Sequence, residues 1–394
     1  MTRPLTLYLV AGEPSGDRLG AALMRALRAE APGLRLAGIG GREMAAEGLE
    51  RRFAMAGLSV MGLAEVVPRV PALLARIRAT AADVVAAAPD ALITIDSPGF
   101  GLRVARRVRA RAPGVATIHY VAPSVWAWRP GRARAMARYI DHVLALLPFE
   151  PPHWEAAGVS CEFVGHPAVE APVAGPGAIA ALRRRAGVGE GAPLLLLAPG
   201  SRVLEVRRLM PVFAPTLARL APRLPGLRVV IPLAEGVADE VGRAAARLDP
   251  APLLIGPGEG EPVRRAAFAA ADVALVKSGS IALELAAAGT PMVAAYRSSP
   301  LTAVLVRPLL RVDTASLVNL VAGARVVPEF IQQRCTPDAI APAVLALLGD
   351  AGARAAQRTA FARVLAALGG GGPAPSARAA RSVLAVLQRR AAPG

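Results

Sequence analysis

The chain has 394 residues, more than one hydrophobic core usually holds, so we expect two domains. Its composition, 54% hydrophobic and 19% charged, excludes an intrinsically disordered protein. The formal net charge of +17 predicts a surface that attracts phosphates or anionic lipid headgroups. Nucleic acid is not an expected partner, because we find no helix-turn-helix, RNA-binding aromatic motif or zinc-finger spacing.

Short apolar runs alternate with helical patterns along the chain, which is typical of parallel sheets in an α/β fold. The first series of predicted strands covers residues 5–10, 35–39, 91–95, 116–121, 142–147 and 161–164. The second series covers residues 194–198, 228–232, 253–255, 273–276 and 292–296. A Pro- and Gly-rich stretch, residues 167–177, separates them. We therefore predict two Rossmann-like domains, residues 1–166 and 167–350, and a helical tail, 351–394, that packs back on the first domain.

Few features indicate a metal, a cofactor or export. Cys161 and Cys335 stand far apart and the four His are scattered, so the sequence holds no metal motif, and we expect a reducing compartment. The apolar run at residues 5–10 is too short for a signal peptide, and no run of about twenty apolar residues predicts a membrane span. We expect a cytoplasmic protein that needs no cofactor and no metal.

The turn after the first strand has the sequence AGEPSGDRLG. Gly12 and Gly16 permit a tight turn, and Ser15 or Asp17 can cap the following helix. This is not the dinucleotide pattern GxGxxG. Glu13 and Asp17 make the turn anionic, which suits sugar hydroxyls better than a pyrophosphate. The alternative is an ordinary capped turn.

Asp96 follows a buried strand in the sequence TIDSPGFG. A carboxyl group at the carboxyl end of such a strand is placed to face a cleft, where it can act as a general base toward a hydroxyl. The alternative is an Asp that only initiates the turn before Ser-Pro. The competing bases are Glu13 and His119, although His119 lies within a strand and can point into the core.

The loop after the next strand is unusually aromatic for a chain with 4% aromatic residues. In IHYVAPSVWAWRPGR, Trp126 and Trp128 lie one residue apart between Pro123 and Pro130, and Arg129 adds positive charge. We interpret this segment as a ligand-binding loop at the carboxyl end of a strand. The alternative is that both Trp residues cover a domain edge.

Two Gly-Ser turns follow strands in the second half. The first, LLLLAPGSR, ends in Gly200, Ser201 and Arg202, where backbone N–H groups and a guanidinium can bind a diphosphate.

The second turn lies in KSGSIALE, where Ser278, Gly279 and Ser280 precede a helix. Glu284 lies one helical turn on, on the same side as Ser280, where it can accept hydrogen bonds from ribose hydroxyls. The alternative for Glu284 is an exposed helix residue.

AGEPSGD, the Trp loop and the order of the motifs over residues 5–337 resemble the lipid A disaccharide synthases, a family of glycosyltransferases. In that family the turn usually has the sequence AGExSGD, and the first Asp of DxPDFN, here Asp96, is the proposed base. This chain has Gly99 and Gly101 where the family usually has Asp and Asn.

The resemblance also implies further site residues. Asn319, Glu329 and Gln332 correspond to residues near the family's nucleotide cleft, although Glu329 and Gln332 could instead be capping or surface residues. His166, in the sequence VGHP that ends the first half, is implied to be a hinge or site-edge residue.

The implied fold is the glycosyltransferase B arrangement, two Rossmann-like domains facing a cleft, with the acceptor in the first and the UDP-sugar in the second. The implied reaction joins UDP-2,3-diacylglucosamine to 2,3-diacylglucosamine 1-phosphate, with inversion and without metal, and gives lipid A disaccharide 1-phosphate and UDP. The implied location is the cytoplasmic, anionic inner-membrane surface of a Gram-negative bacterium. Whether the chain forms a homo-oligomer stays open.

Two other functions stay open. One is another UDP-sugar enzyme of the same architecture, such as a peptidoglycan N-acetylglucosaminyltransferase or an epimerase, which would share the Gly-Ser turns. The other is a two-lobed sugar-binding protein, which would normally be exported.

A membrane-facing helix is predicted at residues 66–78, VVPRVPALLARIR. Its Val, Leu and Ile side chains are flanked by Arg69, Arg76 and Arg78, as in helices that lie on anionic lipid. The alternative is a normal amphipathic core helix.

Overall fold

The chain forms two compact units in the computed structural model, which describes residues 4–54, 70–299, 303 and 312–391. The first unit is Met1–Glu170 together with Leu368–Gly394, and the second is Ala171–Ala367. Each unit is a parallel sheet with helices packed on it.

The first unit contains a seven-stranded sheet. Its strands are β1 (Thr6–Ala11), β2 (Arg35–Gly40), β3 (Glu50–Ala54), β4 (Ala91–Ile95), β5 (Ala116–Tyr120), β6 (His142–Ala145) and β7 (Ser160–Phe163). Their order in the sheet is β3-β2-β1-β4-β5-β6-β7. The helices are α1 (Pro14–Glu30), α2 (Arg42–Ala46), α3 (Val70–Ala87), α4 (Gly101–Arg111), α5 (Gly131–Met136), α6 (Pro151–Glu155) and α15 (Pro375–Ala391).

The second unit contains a six-stranded sheet. Its strands are β8 (Leu194–Ala198), β9 (Arg228–Pro232), β10 (Leu253–Ile255), β11 (Val273–Lys277), β12 (Met292–Tyr296) and β13 (Glu329–Ile331). Their order is β10-β9-β8-β11-β12-β13. The helices are α7 (Pro176–Arg185), α8 (Val203–Leu220), α9 (Ala238–Ala245), α10 (Glu261–Ala270), α11 (Ile281–Ala287), α12 (Leu317–Ala322), α13 (Pro337–Gly349) and α14 (Ala351–Ala367).

The central strands are apolar because both faces of each sheet are covered by helices. Every residue of β4, β5 and β8 is buried, as expected for parallel strands. On one face of the first sheet, α1 packs against α15 through buried side chains such as Leu27 and Val383. On the other face, α3 and α4 pack together and contribute Ile77 and Val104 to the core.

The strand order places the functional regions. In each sheet the direction of strand succession reverses at one point, between β1 and β4 in the first and between β8 and β11 in the second. Ligands of open α/β sheets bind outside the carboxyl ends of the strands at such a switch point. The turns after β1, β4, β8 and β11 therefore define one candidate half-site in each unit.

The edge strands and the C-terminal tail differ from the sequence-based expectations. The edge strands β3 and β13 lie outside the predicted series, because β3 begins with three charged residues and β13 has only three residues. The expected tail is divided between the units: α14 belongs to the second, where the side chain of Gln357 bonds both backbone groups of Met292, and α15 belongs to the first.

The predicted membrane-facing helix is only partly covered. Its residues 66–69 lie outside the described residues, and α3 contains the remainder. No single helix of the described ranges has the length and apolar character to cross a membrane, whereas the pair α13 and α14, bent by 93°, passes that test by length and composition.

Candidate functional site

The switch point of the first sheet brings Ser15 and Asp96 together. The Ser15 hydroxyl donates a 2.8 Å hydrogen bond to Oδ2 of Asp96. Gly16 makes this approach possible, because a Cβ there would lie only 3.1 Å from the carbonyl oxygen of Ile95. Glu13, half-buried at the N-cap of α1, belongs to the same turn. Two turns predicted from sequence to carry acceptor chemistry are thus adjacent.

The backbone at Asp96 is strained. Asp96 and Ser97 have φ values of 50° and 40°, in the left-handed region that non-glycine residues seldom adopt. Val121, after β5, has φ 80°, and Arg129, in the Trp loop, has φ 51°. Such residues cost roughly 1–3 kcal/mol each and cluster at functional sites. The strain therefore supports a functional role for the carboxyl ends of β4 and β5.

Asp17 has a different task from the predicted substrate contact. Its carboxylate is 4% exposed and accepts hydrogen bonds from the backbone N–H groups of Gly41 (2.6 Å), Glu43 (2.9 Å) and Met44 (3.1 Å). Asp17 thus caps α2 rather than α1, which instead starts at Pro14 with no side-chain cap. The folded chain uses both carboxylate oxygens internally.

His119 points into the core. Its side chain is fully buried, and its Nδ1 lies 2.8 Å from the hydroxyl oxygen of Thr94. Burial, with the charge of Arg132 as a smaller cause, lowers the pKa of His119 to about 3. A ring that is buried and neutral in this way does not face an acceptor hydroxyl, which leaves Asp96 and Glu13 as the candidate bases.

His166 lies where the chain leaves the first unit. Its Nδ1 accepts a 3.1 Å hydrogen bond from the N–H of Ala168 and caps a short 3₁₀ turn, Pro167–Val169. The backbone N–H of His166 donates to the carbonyl oxygen of Leu368, where the chain returns to the first unit. Burial lowers the pKa of His166 to about 4, so the ring is a neutral acceptor at neutral pH.

The Trp loop is anchored by Glu150, a residue that the sequence analysis missed. Nε1 of Trp126 donates to Oε1 of Glu150 (3.1 Å), and the indole packs edge-on against Phe149 at 5.0 Å. Oε2 of Glu150 accepts from the N–H groups of Leu146 and Leu147. Burial raises the pKa of Glu150 to about 7, although these three donors oppose the shift. The sequence held one signal, a lone acid in the apolar run LLPFEPP.

The other Trp of the loop, Trp128, contacts a charged side chain. The guanidinium of Arg129 lies 4.5 Å from the ring centre of Trp128, a cation–π contact. Trp126 and Trp128 are both only half-buried. The loop thus presents aromatic surface and positive charge beside the strained carboxyl end of β5.

The two glycines that replace the family's polar residues differ in their surroundings. Gly99 is exposed, with no atom within 4 Å of where its Cβ would lie. A Cβ at Gly101 would lie 3.0 Å from Cβ of Thr94. A side chain fits at the first position, whereas one at the second requires Thr94 to shift.

In the second unit, Glu205 organises the turn after β8. Its Oε2 accepts from the N–H of Ser201 (3.1 Å), and its Oε1 lies 3.3 Å from Nη1 of Arg202. Gly200 has φ 133°, and a Cβ there would lie 2.6 Å from Glu205. The same Oε1 lies 3.1 Å from Nζ of Lys277, at the end of the neighbouring strand β11.

Neighbouring positive charges lower the pKa of Glu205. Burial by itself would raise the pKa of this carboxyl, but Lys277, Arg202 and the Ser201 N–H together hold it below its ordinary value. Neither Glu205 nor Lys277 was singled out by the sequence analysis. The signals available were the separation of four residues from Ser201 to Glu205 and the presence of one Lys at the start of KSGSIALE.

The turn after β11 joins two predicted residues. The hydroxyl of Ser278 donates to Oε1 of Glu329 at 3.4 Å. Glu329 also accepts from the hydroxyl of Thr314 (2.6 Å) and the N–H of Ala315 (2.9 Å). Ser278 is buried, while Ser280 is exposed at the N-cap of α11. Glu329 therefore supports the turn from within the fold.

Glu284 is held by an ion pair. Its Oε2 accepts from Nη2 of Arg264, which also pairs with Glu261 at 2.9 Å. The Arg264 guanidinium stacks on Phe268 at 4.8 Å, which fixes it further. One oxygen of Glu284 is thus engaged by Arg264, and its predicted ribose contact depends on the other.

Asn319 and Gln332 make hydrogen bonds within the fold that the sequence analysis did not foresee. The Asn319 amide, 3% exposed, donates to the carbonyl oxygen of Val327 (3.0 Å) and accepts from its N–H (2.8 Å). The side chain of Gln332, a residue with φ 52°, accepts a hydrogen bond from the N–H of Ser298 (3.1 Å) and donates one to the Ser298 hydroxyl oxygen. Asn319 has both groups of its amide occupied, so its task is to fix the segment before β13.

In residues 4–54, 70–299, 303 and 312–391, no group of three or more His, Cys, Asp or Glu side chains is arranged to hold a metal ion.

Comparison with known proteins assigns the chain to a family. The family model described as "Lipid-A-disaccharide synthetase" matches residues 7–370. The chain belongs to the lipid-A-disaccharide synthase family. The synthase of Ruegeria pomeroyi is 52% identical over 97% of this chain and 95% of its own, and that of Rhodospirillum centenum is 47% identical over 98% and 96%. The resemblance inferred from the motifs is confirmed, and the chain is a glycosyltransferase of this family.

Solved structures agree on the fold. A calicheamicin glycosyltransferase superposes with a TM-score of 0.60 at 19% identity, covering 99% of this chain and all of that one. The UDP-GlcNAc 2-epimerase of Neisseria meningitidis, bound to UDP-GlcNAc, gives 0.63 at 11% identity, covering 98% and 99%. At such identities the likeness concerns the fold alone. The prediction of two Rossmann-like domains of the glycosyltransferase B class is confirmed.

Proposed function

We propose that this chain transfers 2,3-diacylglucosamine from UDP to the 6-hydroxyl of 2,3-diacylglucosamine 1-phosphate. The products are a β-1,6-linked tetraacyl disaccharide 1-phosphate and UDP. Membership of the lipid-A-disaccharide synthase family supports the disaccharide product. The observation that carries the chemistry is the carboxylate of Asp96, on strained backbone at a switch point and hydrogen-bonded by Ser15.

On the acceptor side, Asp96 is the general base. The Ser15 hydroxyl binds Oδ2 of Asp96, which leaves Oδ1 to accept the proton of the sugar hydroxyl as its oxygen attacks the anomeric carbon. A single displacement from the face opposite UDP inverts that carbon. Glu13 lies in the same turn as Ser15 and orients the acceptor.

On the donor side, the diphosphate leaves with negative charge that the protein must stabilise. Arg202 and the backbone N–H groups of Gly279 and Ser280 supply positive charge and hydrogen-bond donors at the second switch point. The N–H groups of Ser201 and Ser278 are engaged within the fold, by Glu205 and by the carbonyl oxygen of Ala295. This donor set supports departure of UDP without a metal ion. Glu284 contributes its remaining carboxylate oxygen to the ribose.

The acyl chains of both sugars call for a lipid surface. Arginine dominates the charge of α3 and α4, and their one acid, Asp83, accepts a 2.6 Å hydrogen bond from the hydroxyl of Tyr8. Exposed arginines on these packed helices are Arg78, Arg103, Arg106 and Arg111. A surface of this charge is attracted to anionic lipid, which supports peripheral attachment to the cytoplasmic face of the inner membrane.

The direct test is to incubate the purified chain with both diacylated sugars. The proposal predicts a tetraacyl disaccharide 1-phosphate by mass spectrometry, a β-anomeric proton by NMR and one UDP per disaccharide, unchanged after a metal chelator is added. Formation of free diacylglucosamine, epimerisation of a UDP-sugar or no reaction would overturn it. Asp96→Asn is the matched control, because it removes the base while keeping the size of the side chain.

A further inference from the structure

The basic residues of this chain are almost all Arg; Lys277 is its single Lys. It ends β11, so it lies at the switch point of the second sheet, beside β8. Its side chain is 19% exposed, which is low for a Lys that only solubilises a surface. A charged group that is mostly removed from water at such a position needs a partner.

The ammonium of Lys277 lies between the two Gly-Ser turns. On one side, Nζ is 3.1 Å from Oε1 of Glu205, which also holds the Ser201 N–H and Arg202. On the other side, Nζ would lie 3.3 Å from a Cβ at Gly279. The absence of a side chain at Gly279 therefore leaves the ammonium directly beside the second turn.

The donor count leaves capacity for a ligand. An ammonium has three N–H donors, of which the Glu205 oxygen takes one. The ring of Tyr296, 5.9 Å from Nζ, adds only a weak cation–π contact. Ammonium groups are common phosphate ligands because they act as compact point charges, whereas Arg needs room for a planar fork.

We propose that Lys277 binds the diphosphate of the sugar nucleotide and that Glu205 positions its ammonium between the two turns. The proposal rests on the proposed function, since it assumes a UDP-sugar in the second unit. It adds a cation that the motif analysis did not assign. Lys277 and Arg202 then approach the diphosphate from neighbouring strands while sharing one carboxylate oxygen.

The single Lys permits a test on the wild-type protein. N-hydroxysuccinimidyl acetate acetylates amines, so in this chain it reacts at Lys277 and at the N-terminal α-amine, which serves as the internal control. UDP should slow the acetylation of Lys277 several-fold and leave the acetylation rate of the α-amine unchanged. Uridine, which has no phosphate, should protect neither. Acetylation of Lys277 at an unchanged rate under saturating UDP would overturn the proposal.

Calorimetry with Lys277→Met is the second test. UDP affinity should fall roughly tenfold, as expected for loss of one charge-assisted contact, while uridine affinity stays the same. Arg223→Met is the matched control, because it also removes one charge, from an exposed residue beyond the end of α8 that is opposite the Ser201 turn. Helix α8 is about 27 Å long at 1.5 Å per residue. UDP affinity of this control should equal that of the wild type.

A double variant guards against misfolding. Lys277→Met leaves Glu205 without its closest cation, so Glu205→Gln with Lys277→Met restores a neutral pair. This protein should melt like the wild type and still bind UDP about tenfold more weakly. Equal UDP affinity in the wild type and both Lys277 variants would contradict the inference alone. A wild type that binds UDP no better than uridine would overturn the proposed function with it.

Discussion

The hydroxyl of Ser15 donates a 2.8 Å hydrogen bond to Oδ2 of Asp96, joining the turn after β1 to the end of β4. These neighbouring strands lie at the switch point of the first sheet, and Asp96 has a φ of 50°. The hydrogen bond favours one orientation of the carboxylate. We therefore treat Ser15 as a positioning residue for the proposed base.

Replacing Ser15 by Ala tests this relationship. The carboxylate of Asp96 keeps its charge but loses a hydrogen bond to a charged group, a contact worth about 1.5–3 kcal/mol. Turnover should fall roughly tenfold, less than on loss of Asp96, and the KM for the UDP-sugar should stay the same. Steady-state kinetics with both substrates varied measures the split. Unchanged turnover would remove Ser15 from the account.

Arg202→Ala tests the diphosphate site. Removal of this guanidinium should weaken the binding of UDP at least roughly tenfold, because a charge-assisted hydrogen bond is lost. Uridine affinity should not change. Calorimetric titration of both ligands into wild type and variant gives the comparison. If the variant binds uridine and UDP with equally reduced affinity, Arg202 stabilises the fold of the turn and does not bind phosphate.

The sequence predicted the parts of the fold that are set by burial on both faces. β4, β5 and β8 are continuous apolar runs because helices cover both sides of their sheets. Edge strands lack this signal: β13 has three residues and all are only half-buried. The position of Asp96 was predictable because the carboxyl end of a strand is visible in the chain order.

Contacts between distant residues were out of reach of that reasoning. Asp17 was placed in the correct turn, but its partner Gly41 lies 24 residues on, after the rest of α1 and all of β2. Trp126 and Glu150 are also separated by 24 residues. The two hydrogen bonds between the Asn319 amide and the Val327 backbone depend on where the chain turns into β13. Each of these pairs depends on tertiary packing rather than on local spacing.

Glu150 should make stability depend on pH. Its pKa is about 7 in the folded protein against an ordinary 4.5, so the native state binds more protons than the unfolded state between these values. Its contribution to the free energy of unfolding therefore falls as pH rises through that window and is constant above it. The loss should be on the order of 3 kcal/mol.

Glu150→Gln removes this titration. Urea unfolding of wild type and variant at about pH 5 and about pH 8 should show the wild type losing stability relative to the variant as pH rises. Any offset from altered hydrogen bonds to Trp126, Leu146 and Leu147 should be the same at both pH values. Parallel pH profiles for the two proteins would contradict the prediction.

Val70 tests the membrane-facing surface. It is 37% exposed on α3, close in sequence to Arg76 and Arg78, whereas Leu74 packs partly against the core. Val70→Ser should weaken binding to phosphatidylglycerol vesicles roughly fivefold, since about 1 kcal/mol of apolar burial is lost. Leu204→Ser, at a similarly exposed site on α8, is the control and should bind like the wild type. Equal vesicle binding by both variants would exclude this part of α3 from the contact.

Single-turnover kinetics of Asp96→Asn tests the central claim most directly. The amide keeps the size of the side chain and can still accept from Ser15, but it cannot take the proton of the acceptor hydroxyl. With enzyme in excess over the UDP-sugar and the acceptor saturating, formation of the disaccharide should slow by about 10²–10⁴-fold. Calorimetry should give unchanged UDP affinity, because the proposed UDP site lies in the other unit. Disaccharide formation at the wild-type rate by Asp96→Asn would show that Asp96 is not the base.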